Sequence, residues 1–160
     1  MTFIEDRDLW TFAFEDDTRA FSAGLNAYPF SFAKMEEIHQ GLLKDGLSSQ
    51  FMREARAMYR LYVQKVETIA AKARWDHVAG YEVIVVNSPY EFVSEVCHFL
   101  LDKYPESSFV AGYSDETVVR RWSLRGRDEG LAVNKIAQAL GGGGHRNAAG
   151  FSRSIPPINL

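Results

Sequence analysis

Apolar side chains recur at three- and four-residue steps between Ser48 and about Arg74, through Phe51, Ala55, Met58, Tyr62, Val66, Ile69 and Ala73. That period predicts a long amphipathic helix. At ~1.5 Å per residue it would run for ~40 Å, enough to bridge two lobes. Before it, Thr18 to Ala27 and Ser31 to Leu43 show shorter helical patterns, separated by Tyr28-Pro29. Ser31 is placed as an N-cap, with Met35 and Ile38 spaced for one face. The aromatic and acidic opening, Met1 to about Asp17, shows no complete fold.

Beyond Gly80 the period changes. Val83 to Val86 is a β-branched run closed by Asn87-Ser88-Pro89, which reads as a buried strand of a parallel-type sheet. Phe92, Val96, Phe99 and Leu100 predict a helix from about Glu91 to Lys103, stopped by Pro105. Ser108 to Tyr113 and Val118 to Leu124 predict a hairpin turning at Ser114-Asp115-Glu116. A last helix, Leu131 to Leu140, runs into four glycines, and Ala148 to Ser152 closes the sheet. The expectation is an α/β chain: a small mixed β-sheet domain in the order strand, helix, strand, strand, helix, strand, preceded by a helical linker region with one long helix. The divisions are 1–17, 18–79 and 80–160.

Composition narrows the function classes. Across 160 residues, 46% hydrophobic content suffices for a core. A formal net charge of -3 argues against a broad polybasic surface on long nucleic acid, so any polyanion bound is expected to be short. Cys97 has no second cysteine to pair with, and the opening residues resemble no signal peptide. No stretch reaches the ~18 apolar residues of a membrane helix. A cytoplasmic protein without a membrane partner is expected.

The chemistry concentrates in one segment. Gly141-Gly142-Gly143-Gly144 is followed by His145-Arg146-Asn147 and Ala148-Ala149-Gly150. Glycines admit positive φ and let a ligand approach the backbone, so that consecutive N–H groups can converge on a phosphate oxygen. A helix cap needs one glycine, and four imply close approach by something. The run follows a helix, whereas the common nucleotide-binding glycine loops precede one. Arg125, in Ser123-Leu124-Arg125-Gly126-Arg127, ends a strand and carries a planar fork suited to phosphate.

The strand Val83 to Asn87, the helix with Ser94-Glu95-Val96, the segment Ser123 to Arg127, and above all Gly141 to Phe151 resemble the DHH-associated substrate-binding domain. The resemblance covers roughly Gly80 to Ser154. In that family the domain follows a DHH catalytic domain in manganese-dependent phosphoesterases, among them oligoribonucleases and cyclic-nucleotide or dinucleotide phosphodiesterases. It implies a substrate-binding set of Ser123, Arg125, Gly142, Gly143, Gly144, His145 and Asn147, with short RNA or a small nucleotide as partner. Ile4 to Trp10 and the helices to Arg74 are similar to the exit from the catalytic domain, where Asp6 or Asp8 would help ligate metal.

The chain departs from the family in lacking the Asp-His-His triplet, and its histidines, at 39, 77, 98 and 145, are scattered singly. A two-manganese centre needs several carboxylate and imidazole ligands, so the chain alone is expected to hold no cofactor and not to catalyse. Manganese would come with a DHH catalytic domain, in cis or in trans. The expectation is a fragment or short protein serving as the substrate-recognition portion of a DHH-type phosphoesterase. A stand-alone nucleotide-binding module and the related transfer-RNA-binding domain of alanyl-transfer-RNA enzymes are the alternatives. In a fragment, Phe3, Trp10 and Phe12 would be left uncovered and favour a homo-oligomer.

Overall fold

In the computed structural model, which describes residues 2–9 and 11–155, the chain divides into two compact units, 1–65 and 66–160. The first is helical. Helix α1 (Phe3–Asp8) opens with a capping box between Thr2 and Glu5, and α2 (Asp16–Asn26) and α3 (Phe32–Asp45) follow. Ser31 caps α3 as expected, its Oγ accepting from Lys34 N at 3.2 Å. The fourth helix, α4 (Gln50–Ala70), is capped by the buried Ser49, whose Oγ accepts from Met52 N. Phe21, Ile38, Phe51, Met52 and Ala55 form the core of this unit.

The opening segment, which has no complete fold on sequence, is ordered around Asp6. This side chain is fully buried. Its carboxylate accepts from Ala13 N at 2.7 Å, from Phe14 N at 3.3 Å and from the Thr18 hydroxyl, pinning the turn that joins α1 to α2. Phe3 packs against Phe14 and Phe21 with ring centroids 5.2 and 5.1 Å apart. Phe12 lies beneath the guanidinium groups of Arg7 and Arg19. Both rings expected to be uncovered are therefore partnered, while Trp10 lies outside the described residues. The aromatic side chains that do stand out are Phe30 and Phe32, 75% and 84% exposed.

Asp6 makes this unit acid-sensitive. Burial pushes its carboxyl up, but the Thr18, Ala13 and Phe14 hydrogen bonds and the nearby Arg19 charge together hold it below the ordinary 3.8. A depressed carboxyl contributes stability that is complete above its unfolded pKa and is lost as pH falls through the folded one. Helical signal from this unit should therefore weaken as pH drops below about 3.8 in the wild type. In Asp6→Asn that dependence should be flatter from a lower starting stability, which a pH series of thermal melts by circular dichroism would read.

The second unit is a six-stranded sheet of order β1-β2-β3-β4-β6-β5. The strands are β1 (Arg74–Val78), β2 (Tyr81–Asn87), β3 (Val110–Glu116), β4 (Val119–Arg125), β5 (Gly143–His145) and β6 (Ala148–Ser154). Only β2 and β3 are parallel. The crossover between them carries α5 (Val93–Lys103), and α6 (Val133–Ala139) lies between β4 and β5. The α/β class and the mixed sheet are as expected, with two strands added.

The long helix ends four residues short of Arg74, at Ala70, and strand β1 forms from Arg74 and residues to which no element had been assigned. After Ala70 the chain tightens, with Lys72 N donating to Ile69 O and Ala73 N to Ala70 O. It then turns back through Ala79 and Gly80, both at positive φ, as a two-residue hairpin between Val78 and Tyr81 requires. The helix is thus 21 residues long, about 31 Å at ~1.5 Å per residue. The β3–β4 turn also shifts, to Thr117 and Val118. Asp115 and Arg120 instead face each other as a bidentate cross-strand pair at 2.6 and 2.8 Å, which draws the acidic residues into the strand.

Strand alternation sorts the side chains between two faces. Val83, Val85, Ala111, Leu124, Ala149 and Phe151 face one way and join Val133, Ile136 and Ala137 of α6 in a core. The opposite face packs α5 over its middle strands, where a Cβ on Gly112 would come within 2.5 Å of Val93 and 2.8 Å of Cys97 Sγ.

Candidate phosphate-binding site

The sheet register places four of the predicted residues on that second face, beyond α5. Val110, Arg125, Ala148 and His145 form one row across β3, β4, β6 and β5. Gly112, Ser123, Gly150 and Gly143 form the next. Directly opposed residues present their side chains on the same side of a sheet. The strip from β4 to β5 is therefore floored by Ser123, Ala148, Gly150 and Gly143, with Arg125 at its inner wall and His145 at its rim. Arg125 and His145 are two strands apart, about 10 Å between their backbones. Of the predicted set, Ser123, Arg125, Gly143 and His145 meet on this strip. Ala148 and Gly150, which complete its floor, were legible only as small residues.

Arg125 is half-buried. Its Nη1 donates to Leu124 O at 3.0 Å and its Nη2 to Ser94 Oγ at 3.4 Å, the outer limit of a hydrogen bond. No carboxylate among the described residues pairs with it. A guanidinium has five N–H donors, so this one keeps donors and its full charge for an incoming anion. His145 is exposed, and its imidazole makes no hydrogen bond among the described residues. Ser94, on α5, was not among the expected site residues, although the run Ser94-Glu95-Val96 carried part of the resemblance. The adjacent Cys97 is sealed in: burial pushes its thiol up to about 12 despite the opposing Arg125 charge, which leaves no thiolate nucleophile.

The four glycines divide by cause. Gly141 has φ +81 and ends α6, its N–H donating to Gln138 O at 3.0 Å while Gly142 N–H reaches Ala137 O at 2.8 Å. Those two bonds are the Schellman arrangement of a helix C-terminus. A Cβ on Gly142 would lie 2.0 Å from Gly150 O, and one on Gly144 2.6 Å from Ala148 O, with φ +138 besides. The close approach inferred from these glycines is thus made largely by β6 itself. Gly143 is different: its φ is not in the left-handed region and nothing stands within 4 Å of where its Cβ would be. The fold gives no reason for glycine there, and the open space is on the side of Arg125.

Asn147, expected to touch substrate, sits in the turn between β5 and β6 with its Nδ2 donating to Asp128 Oδ1 at 2.5 Å. Its own Oδ1 is buried without a partner. Asp8 is exposed, and Asp6 has both carboxylate oxygens accepting protein hydrogen bonds. No group of three or more His, Cys, Asp or Glu able to hold a metal exists among the described residues. The described residues do not fit a manganese centre.

No family model matches the chain. An uncharacterized protein of Acanthamoeba polyphaga mimivirus is 27% identical over 159 residues, 94% of this chain and 36% of the viral protein. A pGpG-specific phosphodiesterase, PggH, from Vibrio cholerae superposes with a TM-score of 0.57 at 13% identity, over 83% of this chain and 49% of that one. A DHH domain described as a member of the S1p family of ribosomal proteins gives 0.49 at 13% identity, over 72% of this chain and 31% of that one. At 13% identity, what the chain shares with the phosphodiesterase PggH is the fold alone. The chain spans about half the length of the phosphodiesterase and about a third of the viral relative. No helix among the described residues is long and apolar enough to cross a membrane.

Proposed function

We propose that the second unit is the substrate-recognition portion of a DHH-type phosphoesterase and binds a phosphate of short RNA or of a small nucleotide. The observation that carries this reading is the half-buried Arg125 with no carboxylate partner, set beside a floor of small residues in which Gly143 has no packing reason to be glycine. A guanidinium in that setting holds phosphate through charge-assisted, often paired hydrogen bonds. The bare backbone of Gly143 lets the rest of the ligand lie close to the sheet, and the exposed imidazole of His145 contacts it from the rim. The likeness of PggH, a pGpG-specific phosphodiesterase, makes pGpG the first ligand to try.

Calorimetric titration with a panel of mono-, di- and cyclic nucleotides tests the reading. Saturable binding of at least one member that is lost with Arg125 supports it, and no binding across the panel defeats it. Raising salt should weaken binding only modestly, because few phosphates are contacted.

Hydrolysis belongs to a partner in this reading. A DHH catalytic domain, in cis or in trans, supplies the metal ligands and the manganese, in whichever compartment the two meet. This chain alone should therefore cleave a fluorescent dinucleotide no faster than buffer, with or without manganese. Turnover that persists through purification and disappears in His145→Ala would overturn that expectation.

A further inference from the structure

The hairpin turn that carries His145 is tied down by residues that do not line the strip. Arg146 donates from Nε and Nη2 to Asp128 O at 3.3 and 3.0 Å and from Nη2 to Gly130 O at 2.9 Å. Asn147 donates to the Asp128 carboxylate, and Gly126 N–H donates to Asn147 O at 3.0 Å. The loop that receives these bonds is itself fixed from the other side. Arg127 spends its guanidinium on Ser107 O at 2.6 Å, Leu101 O at 2.5 Å and Tyr104 O at 3.1 Å, around the C-terminal end of α5.

We propose that Asp128 and Arg146, backed by Arg127 and received by Asn147, form a latch that holds His145 at a fixed reach from Arg125, acting as positioning residues that do not touch the ligand. The physical need is plain. Strand β5 has three residues, lies at the sheet edge and pairs only with β6, so its own ladder is too short to hold the rim still. The following turn would fray without outside anchors, and a rim group that wanders must be ordered again each time a ligand binds, which weakens affinity. Asp128 supplies both a carboxylate and a main-chain carbonyl to the latch, and only the carboxylate can be removed by mutation.

This inference rests on the phosphate-binding reading for its effect on affinity, but not for its effect on the turn. Hydrogen exchange of the purified chain, read by NMR without ligand, addresses the turn alone. Asp128→Ala and Arg146→Ala should each speed exchange of the amides in 143–148 by about tenfold or more, with β2 and β3 amides unchanged. Asp128→Asn, which keeps an acceptor for Asn147, should exchange like the wild type. Equal protection in all four proteins, or loss of protection throughout the sheet, would overturn the latch.

Titration with pGpG then addresses affinity. Asp128→Ala should weaken binding about as much as His145→Ala, and the double variant no more than either, because residues acting through one another are not additive. Additive losses would overturn the positioning role. Failure of the wild type to bind, with the exchange result intact, would instead remove the phosphate-binding reading and leave the latch standing.

Discussion

Replacing Arg125 with alanine should weaken nucleotide binding by roughly 1.5 to 3 kcal/mol, about ten- to a hundredfold, which is what hydrogen bonds to a charged group are worth. The loss should be of this size because the side chain has little else to do: its protein bonds are one to the neighbouring carbonyl of Leu124 and one long contact to Ser94. The same freedom predicts that stability is nearly untouched. Arg125→Lys should recover only part of the affinity, since an ammonium cannot present two parallel donors. Arg127→Ala provides the contrast. Its guanidinium holds three carbonyls, so it should lower the melting temperature first. Calorimetry on both variants, each checked for folding, separates the two arginines; an unchanged dissociation constant in folded Arg125→Ala would sink the assignment.

Valine at Gly143 should abolish binding and leave the fold intact, whereas valine at Gly144 should damage the hairpin whether or not a ligand binds. Space and backbone conformation both point this way. A Cβ at 143 meets nothing within 4 Å and demands no disfavoured φ, and a β-branched residue suits a strand. At 144 the φ of +138 excludes L side chains and the Cβ would press into Ala148 O and the Ala149 backbone, a strain of the order of 1 to 3 kcal/mol or more. Thermal melts beside titrations read the two effects apart. Normal binding by Gly143→Val would mean that nothing lies against the open face of β5.

Much of this was legible in the chain itself, for reasons that differ from element to element. The buried strand Val83–Val86, the crossover helix and the small-residue tail of the sheet follow from hydrophobic period and β-branching. Arg125 and His145 could be paired because a resemblance joined motifs 20 residues apart, but only the register, through Ala148, puts them in one row. Strand β1 was hidden because Trp75, Asp76 and His77 continue no helical stripe yet adjoin one, and the Ala79-Gly80 turn lacks the usual asparagine or aspartate. The roles of the glycines could not be separated on sequence. Gly141 caps a helix at positive φ, Gly142 and Gly144 yield to β6, and Gly143 has neither reason to be glycine, distinctions that exist only once the chain is folded. The structural part played by Asp6 was not legible, because its three hydrogen bonds come from residues 7 to 12 positions further along that only the folded turn brings to it.

Strand β5 is also an edge of the sheet, and a free edge normally invites a second chain to add its own strand. Here that edge offers three residues, two of them glycine, ending in a turn whose polar side chains are already engaged with the neighbouring loop. So short and side-chain-poor a border gives an incoming strand little to zip along. The candidate face can thus stand open to solvent without seeding fibres or chain-swapped pairs. Lengthening β5 with valine and threonine to strengthen the hairpin would be expected to trade that protection for aggregation, visible as growth in light scattering on concentration.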